Sequence, residues 1–171
     1  MAIVNTDVPI TSRRANDMIL ELVQTYPDLR SDILTTSAFG REIRTLTMGS
    51  GDRQVLFTAA HHANEWITAL VLLKFAEDLA QAAAANRRIY GIEARTILKA
   101  ATIHLVPLVN PDGVDLVVGA IQPGTLAYET AQSLGNNYPS IPFPNGWKAN
   151  LLGVDLNLQY PALWQIGRAH V

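Results

Sequence analysis

Residues 54–84 narrow the fold more than any other stretch. The run 54–60 is short and mostly apolar, follows the turn Gly49-Ser50-Gly51-Asp52, and reads as a buried, central strand. A long helix is predicted over 64–84. Its polar residues Lys74, Glu77, Asp78 and Gln81 fall at i, i+3, i+4 and i+7, one narrow solvated stripe on an otherwise buried helix. Upstream, 12–26 reads as a helix with Ile19, Leu20, Leu22 and Val23 on its apolar face, stopped by Pro27, and 42–48 alternates as a strand. Downstream, 92–100 reads as a shorter helix and 102–109 as a third buried strand. Asn110-Pro111-Asp112-Gly113 reads as a turn, because proline fixes φ and glycine permits a positive one. A helix is expected over 125–134 and an ordered, proline-rich loop over 136–149. Strands alternating with long helices imply an α/β layer fold with a largely parallel sheet.

Composition removes several functional classes. The chain has 171 residues, within the range of one domain, and its 49% apolar content suffices for a core. A net charge of −2 without a basic block gives no nucleic-acid footprint. The richest apolar run, 66–73, is too short to span a bilayer and meets Lys74. The first ten residues lack a basic segment followed by an apolar one, so no signal peptide is expected and the location read from sequence is cytoplasmic. Without cysteine, disulfides and thiolate zinc sites are excluded, and any metal must be held by His, Asp or Glu.

The chemistry gathers where the strand 54–60 enters the helix, through His61-His62-Ala63-Asn64-Glu65-Trp66. Ligand sites in α/β sheets collect at the carboxyl ends of strands. A His at the turn and a Glu three residues later can converge on one metal, and both donors suit zinc, whose catalytic sites use three protein ligands and one open position. By spacing alone the same residues also fit a capping His and an exposed first-turn Glu that favours the helix dipole.

Three segments carry a resemblance. His62-Ala63-Asn64-Glu65-Trp66, Asn110-Pro111-Asp112-Gly113 and Gly153-Val154-Asp155-Leu156-Asn157 resemble, in order, the His-x-Arg-Glu-Trp, Asn-Pro-Asp-Gly and Gly-Val-Asp-Leu-Asn-Arg-Asn elements of the M14 zinc carboxypeptidases. The resemblance implies a three-layer α/β/α fold with a mixed, largely parallel sheet, of which this chain would be the amino-terminal half. It implies a Zn2+ cofactor, His62 and Glu65 as metal ligands, a peptide substrate and metal-assisted amide hydrolysis. Asn157, Lys148 and Asn64 are the substrate-binding candidates. His61 is expected to cap the helix or support a ligand, and His104 to be a satisfied core histidine. Asp112 and Asp155 are expected to hold turns, with Asp155 also able to orient a ligand.

The departures point to a narrower group. Asn64 stands where the family has Arg, and Leu158 replaces the Arg whose bidentate grip holds a substrate's terminal carboxylate. With Trp147-Lys148-Ala149-Asn150 and Asn157-Leu158-Gln159-Tyr160-Pro161, the chain resembles the γ-D-glutamyl-L-diamino acid endopeptidases, which cut the D-glutamate–diaminopimelate bond of bacterial wall peptides. Many of these carry an Arg where Leu151 and Leu152 stand here, so Lys148 is the nearby cation left to face a substrate carboxylate, and it equally fits a solvated loop lysine. The rival readings are a zinc carboxypeptidase of broader specificity, a zinc deacylase and a non-catalytic relative. The family's third zinc ligand and catalytic Glu lie beyond its Gly-Val-Asp segment and have no counterpart here, so the chain alone is expected to be inactive. Residues 12–165 read as a partial catalytic domain, and Ile166-Gly167-Arg168-Ala169-His170-Val171 as a non-native tail that matches one reading frame of a sequencing adapter. His170 is thereby set aside as a third ligand.

Overall fold

In the computed structural model, which describes residues 2–161, the chain runs through eleven helices and strands. They are α1 (Ser12–Thr25), β1 (Leu29–Thr36), β2 (Glu42–Gly49), β3 (Arg53–Thr58), α2 (Ile67–Ala84), β4 (Arg88–Ile89), β5 (Ile92–Glu93), α3 (Ala94–Ala100), β6 (Ala101–Val106), α4 (Pro111–Val117) and α5 (Leu126–Gly135). The tail read over 166–171, and His170 within it, lie outside the described residues.

The main sheet has the order β1-β2-β6-β3, and β4 with β5 forms a separate small hairpin. The α/β class and the mixed sheet stand. Among the described residues parallel pairing is confined to β3 and β6, from Arg53 opposite Ala101 to Thr58 opposite Val106, while β1–β2 and β2–β6 are antiparallel. The turn after Gly49 therefore does not join paired strands: β6 lies between β2 and β3. That turn packs against the α3–β6 junction so closely that a Cβ on Gly49 (φ +81°) would stand 2.2 Å from the carbonyl oxygen of Ala101. Only glycine fits there.

The core follows from the register. Leu46 and Met48 of β2 face the same side as Leu105 and Ile103 of β6, and all four are buried. Onto that face pack Ala15, Ile19 and Leu22 of α1, Leu70 and Leu73 of α2, and Leu98 of α3. The opposite face carries Thr45, Thr47, Thr102 and His104, all partly exposed. His104 is satisfied, with Thr47 Oγ1 at 3.2 Å and Gln54 Oε1 at 2.8 Å, but it sits on this open face rather than in the core.

Several elements differ from their sequence reading. β3 is an edge strand among the described residues, and Leu56 and Phe57 are 64% and 45% exposed. Its apolar character had suggested a central position. Glu77 does not belong to a solvated stripe: it is buried and accepts the N–H groups of Ile3 (2.6 Å) and Val4 (3.4 Å), which explains how a carboxylate is tolerated there. Conversely, Ile67 and Val71 of α2 are exposed, and with Phe57 and Phe75 they line an apolar groove beside β3. Asn-Pro-Asp-Gly opens a helix instead of forming a free turn. Asn110 caps it by accepting the Gly113 N–H at 3.0 Å, and Pro111 occupies the first helical position, where its missing N–H costs nothing.

Candidate metal centre

β3 ends at Thr58, and a single 3-10 turn over Ala63–Glu65 leads into α2. A local latch shapes this corner. Ala60 adopts a left-handed backbone (φ 51°) and donates its N–H to Thr68 Oγ1 at 2.9 Å, and the Thr68 hydroxyl donates to the carbonyl of Glu65 at 2.8 Å. The result stands His62 and Glu65 side by side at the carboxyl end of the parallel strand pair, with His62 Nδ1 3.1 Å from Glu65 Oε1. The other ring nitrogen, Nε2, lies 3.3 Å from Asp155 Oδ1. Asp155 precedes the 3-10 turn Leu156–Leu158, and the same oxygen accepts the N–H of Asn157 at 3.0 Å. The His62 ring thus sits between two carboxylates on opposite nitrogens.

This donor set fits two positions of a zinc site. Nitrogen and oxygen ligands about 2.1 Å from one tetrahedral ion stand about 3.4 Å apart, close to the His62–Glu65 separation. Asp155, on the far nitrogen, would hold the ring's tautomer and orientation, as carboxylates behind metal-binding histidines do. Among the described residues no group of three His, Asp or Glu side chains converges to hold a metal. Asp155 does not complete one because it approaches the wrong side of the ring. His61 turns away from the pair: its Nε2 lies 2.7 Å from the Tyr160 hydroxyl. Burial, and then the neighbouring His62, push the His61 pKa below its ordinary value, with Glu65 and Asp155 opposing.

The remaining candidates are near but unequal. Asn157 is exposed one hydrogen bond from Asp155. Lys148 projects an exposed side chain from a loop whose carbonyls accept the N–H of Ala63 (Lys148 O, 2.9 Å) and of Asn64 (Trp147 O, 3.1 Å). The Asn64 side-chain oxygen is buried without a partner among the described residues. Sequence reasoning missed two contributors. Tyr160 carried no signal beyond lying in a family-like string. Asn110, read as a turn residue, is buried and bonds to both the His61 carbonyl and the 147–150 loop.

A mixed α/β sheet here presents a His-x-x-Glu pair, two donors that suit a metal ion, at a strand's carboxyl end. Residues 15–170 match the zinc carboxypeptidase model of peptidase family M14, and the chain belongs to that family. It is 36% identical over 160 residues to γ-D-glutamyl-L-diamino acid endopeptidase 1 of Lysinibacillus sphaericus, covering 92% of this chain and 39% of that protein. It is 35% identical over 150 residues to the uncharacterized protein YqgT of Bacillus subtilis, covering 86% of this chain and 39% of that one. Among solved structures it resembles thrombin-activatable fibrinolysis inhibitor, with a TM-score of 0.69 at 15% identity, over 94% of this chain and 37% of that one. That last likeness concerns the fold. The chain spans about two-fifths of the length of these curated relatives.

Proposed function

We propose that this chain forms one wall of a zinc peptidase site, with His62 and Glu65 as two of three metal ligands. The observation that carries the reading is the 3.1 Å approach of His62 Nδ1 to Glu65 Oε1 at the carboxyl end of β3, in a chain of the zinc carboxypeptidase family. The ion, when bound, supplies a Lewis acid for the scissile carbonyl and a more acidic water. His62 and Glu65 hold it, Asp155 fixes the His62 ring, and Asn157 and Lys148 orient the substrate. The third ligand and the general base belong to the part of the whole protein that corresponds to the remaining three-fifths of its relatives. By this reading the 171 residues alone bind zinc weakly and do not turn over.

The proposed substrate is the γ-D-glutamyl-diaminopimelate bond of bacterial wall peptides. The relative at 36% identity bears the name of that activity, and Leu158 stands where a carboxypeptidase would place its carboxylate-binding Arg. The test joins this chain to the remaining length of the Lysinibacillus relative and compares a wall tripeptide with a hippuryl amino acid. Faster cleavage of the tripeptide, lost in His62→Ala, is expected. A preference for the hippuryl substrate overturns the substrate, and full activity in His62→Ala overturns the ligand assignment.

A further inference from the structure

We propose that the first turn of α4 is the positioning element that sets His62 against Asp155, acting through the Asn110 amide and the bare Cα of Gly113. The role of His62 as a ligand is the reading given above; the clamp itself is a matter of geometry.

Asn110 is 1% exposed, and its side chain joins three segments distant in sequence. Its Nδ2 donates to the carbonyl of His61 at 3.0 Å and to that of Ala149 at 3.1 Å, with the Lys148 carbonyl at 3.4 Å. An amide offers two N–H bonds, so the closer two are made and the third is at best shared. Its backbone N–H donates to the Ala60 carbonyl at 3.0 Å. One residue thus grips the corner on the strand side of His62 and the loop facing it. Beyond Ala149, Asn150 Oδ1 accepts the N–H groups of Leu152 and Val154, both at 3.0 Å, closing the tight turn that delivers Asp155. The connected path from Asn110 to Asp155 returns to His62 Nε2, so the Asn110 amide sets the distance that this last contact spans.

Gly113 permits the approach. A Cβ there would stand 2.7 Å from Ala149 O, 2.7 Å from Asn110 Nδ2 and 2.8 Å from the Ala63 Cβ, contacts too short for real side chains. The corner, the loop and α4 meet at a point that has room for a hydrogen atom only.

Asn110 has two separable roles. Capping needs an oxygen acceptor, which Asp and Ser supply as well as Asn. Clamping needs the N–H donors, which Asp lacks and Ser cannot extend to both carbonyls. The experiment therefore compares Asn110→Asp and Asn110→Ser with the parent 171-residue chain. It uses amide hydrogen exchange by NMR and titration with Co2+ as the metal probe. At least tenfold faster exchange is expected at the Ala63 and Asn64 amides, which bond to Lys148 O and Trp147 O, with the Leu46 and Leu105 amides of the central strands unchanged. Co2+ affinity should fall tenfold or more, the usual cost of losing support behind a ligand. Unchanged exchange at Ala63 and Asn64 in both variants overturns the proposal. So does uniform acceleration through the central strands in both, since Asn110 would then be a general stabiliser. If the parent chain binds Co2+ too weakly to titrate, as two of three ligands would allow, the exchange pattern alone decides the clamp.

Discussion

Two regions that share the β3–α2 connection are built on opposite terms. At the corner, polar groups are buried and nearly all partnered within the described chain. Asn110 holds three segments, and Arg41 pairs with Asp112 (Nη1–Oδ1, 2.7 Å) and Asp115 (Nε–Oδ2, 2.7 Å). Asp112 also accepts from Ser37, and Asp115 from the Ser12 N–H and hydroxyl. In the groove a few residues away, apolar groups are exposed: Phe57, Ile67 and Val71, beside a strand edge that pairs on one side only among the described residues. The corner's energetics are closed within this chain, because a buried polar group is tolerable only when its partners are present. The groove's are open, because apolar surface asks only to be covered and specifies no partner.

The largest test of that contrast is Arg41→Ala. It strands two carboxylates whose side chains are 3% and 7% exposed and should cost about 3 kcal/mol, read from urea unfolding. A loss below about 1 kcal/mol would place the corner on the same footing as an exposed ion pair. A smaller effect is expected from pH. The depressed His61 pKa means that the unfolded chain takes up the proton first on acidification. That contribution to stability is complete above the ordinary imidazole pKa of about 6.5 and is lost as pH falls through the lower folded value. His61→Gln should flatten the acid limb of the stability profile; an identical limb in both proteins would remove His61 from the account. Smallest should be Val71→Lys and Leu56→Thr, each within about 0.5 kcal/mol of the parent in unfolding free energy. Both should reduce self-association in light scattering, since the groove and strand edge favour contact between copies. A destabilisation beyond 1 kcal/mol would show that the groove is covered from within the chain.

What could be read in advance follows the range of the interactions. α1, β2, β6 and α5 were legible because periodicity and caps are local, as with Thr11 accepting the Arg14 N–H at the start of α1. β1 was not, since Leu29 is its one buried residue and the rest of the strand is exposed or nearly so, leaving no alternation to detect. β3 reads as central because it is apolar, and among the described residues it pairs on one side only. The proximity of His62 and Glu65 rests on three residues of spacing. The approach of Asp155 to His62, 93 positions away, rests on the whole sheet and the 147–155 loop. Asn110 gave no hint of its clamp, because carbonyl oxygens at 61 and 149 converge only after folding, and backbone leaves no trace in composition.

The strand order carries a consequence in time. Among the described strands of the main sheet β6 is the last to be synthesised, yet it lies between two made earlier, bonding to β2 from Leu46 opposite Leu105 and to β3 from Val55 opposite Ile103. Before it arrives, β2 and β3 are neighbours in the chain with nothing between them, and the simplest thing they can do is pair with each other as a hairpin. The native sheet forbids that pairing. Closing the intervening loop of some fifty residues costs only slowly growing entropy, but the contacts it secures are non-local, and such contacts set slow folding rates. The nascent protein therefore faces a race between a quick wrong hairpin and a late right insertion. Glycine at 49, whose missing side chain lets the α3–β6 junction approach, makes room for the second outcome.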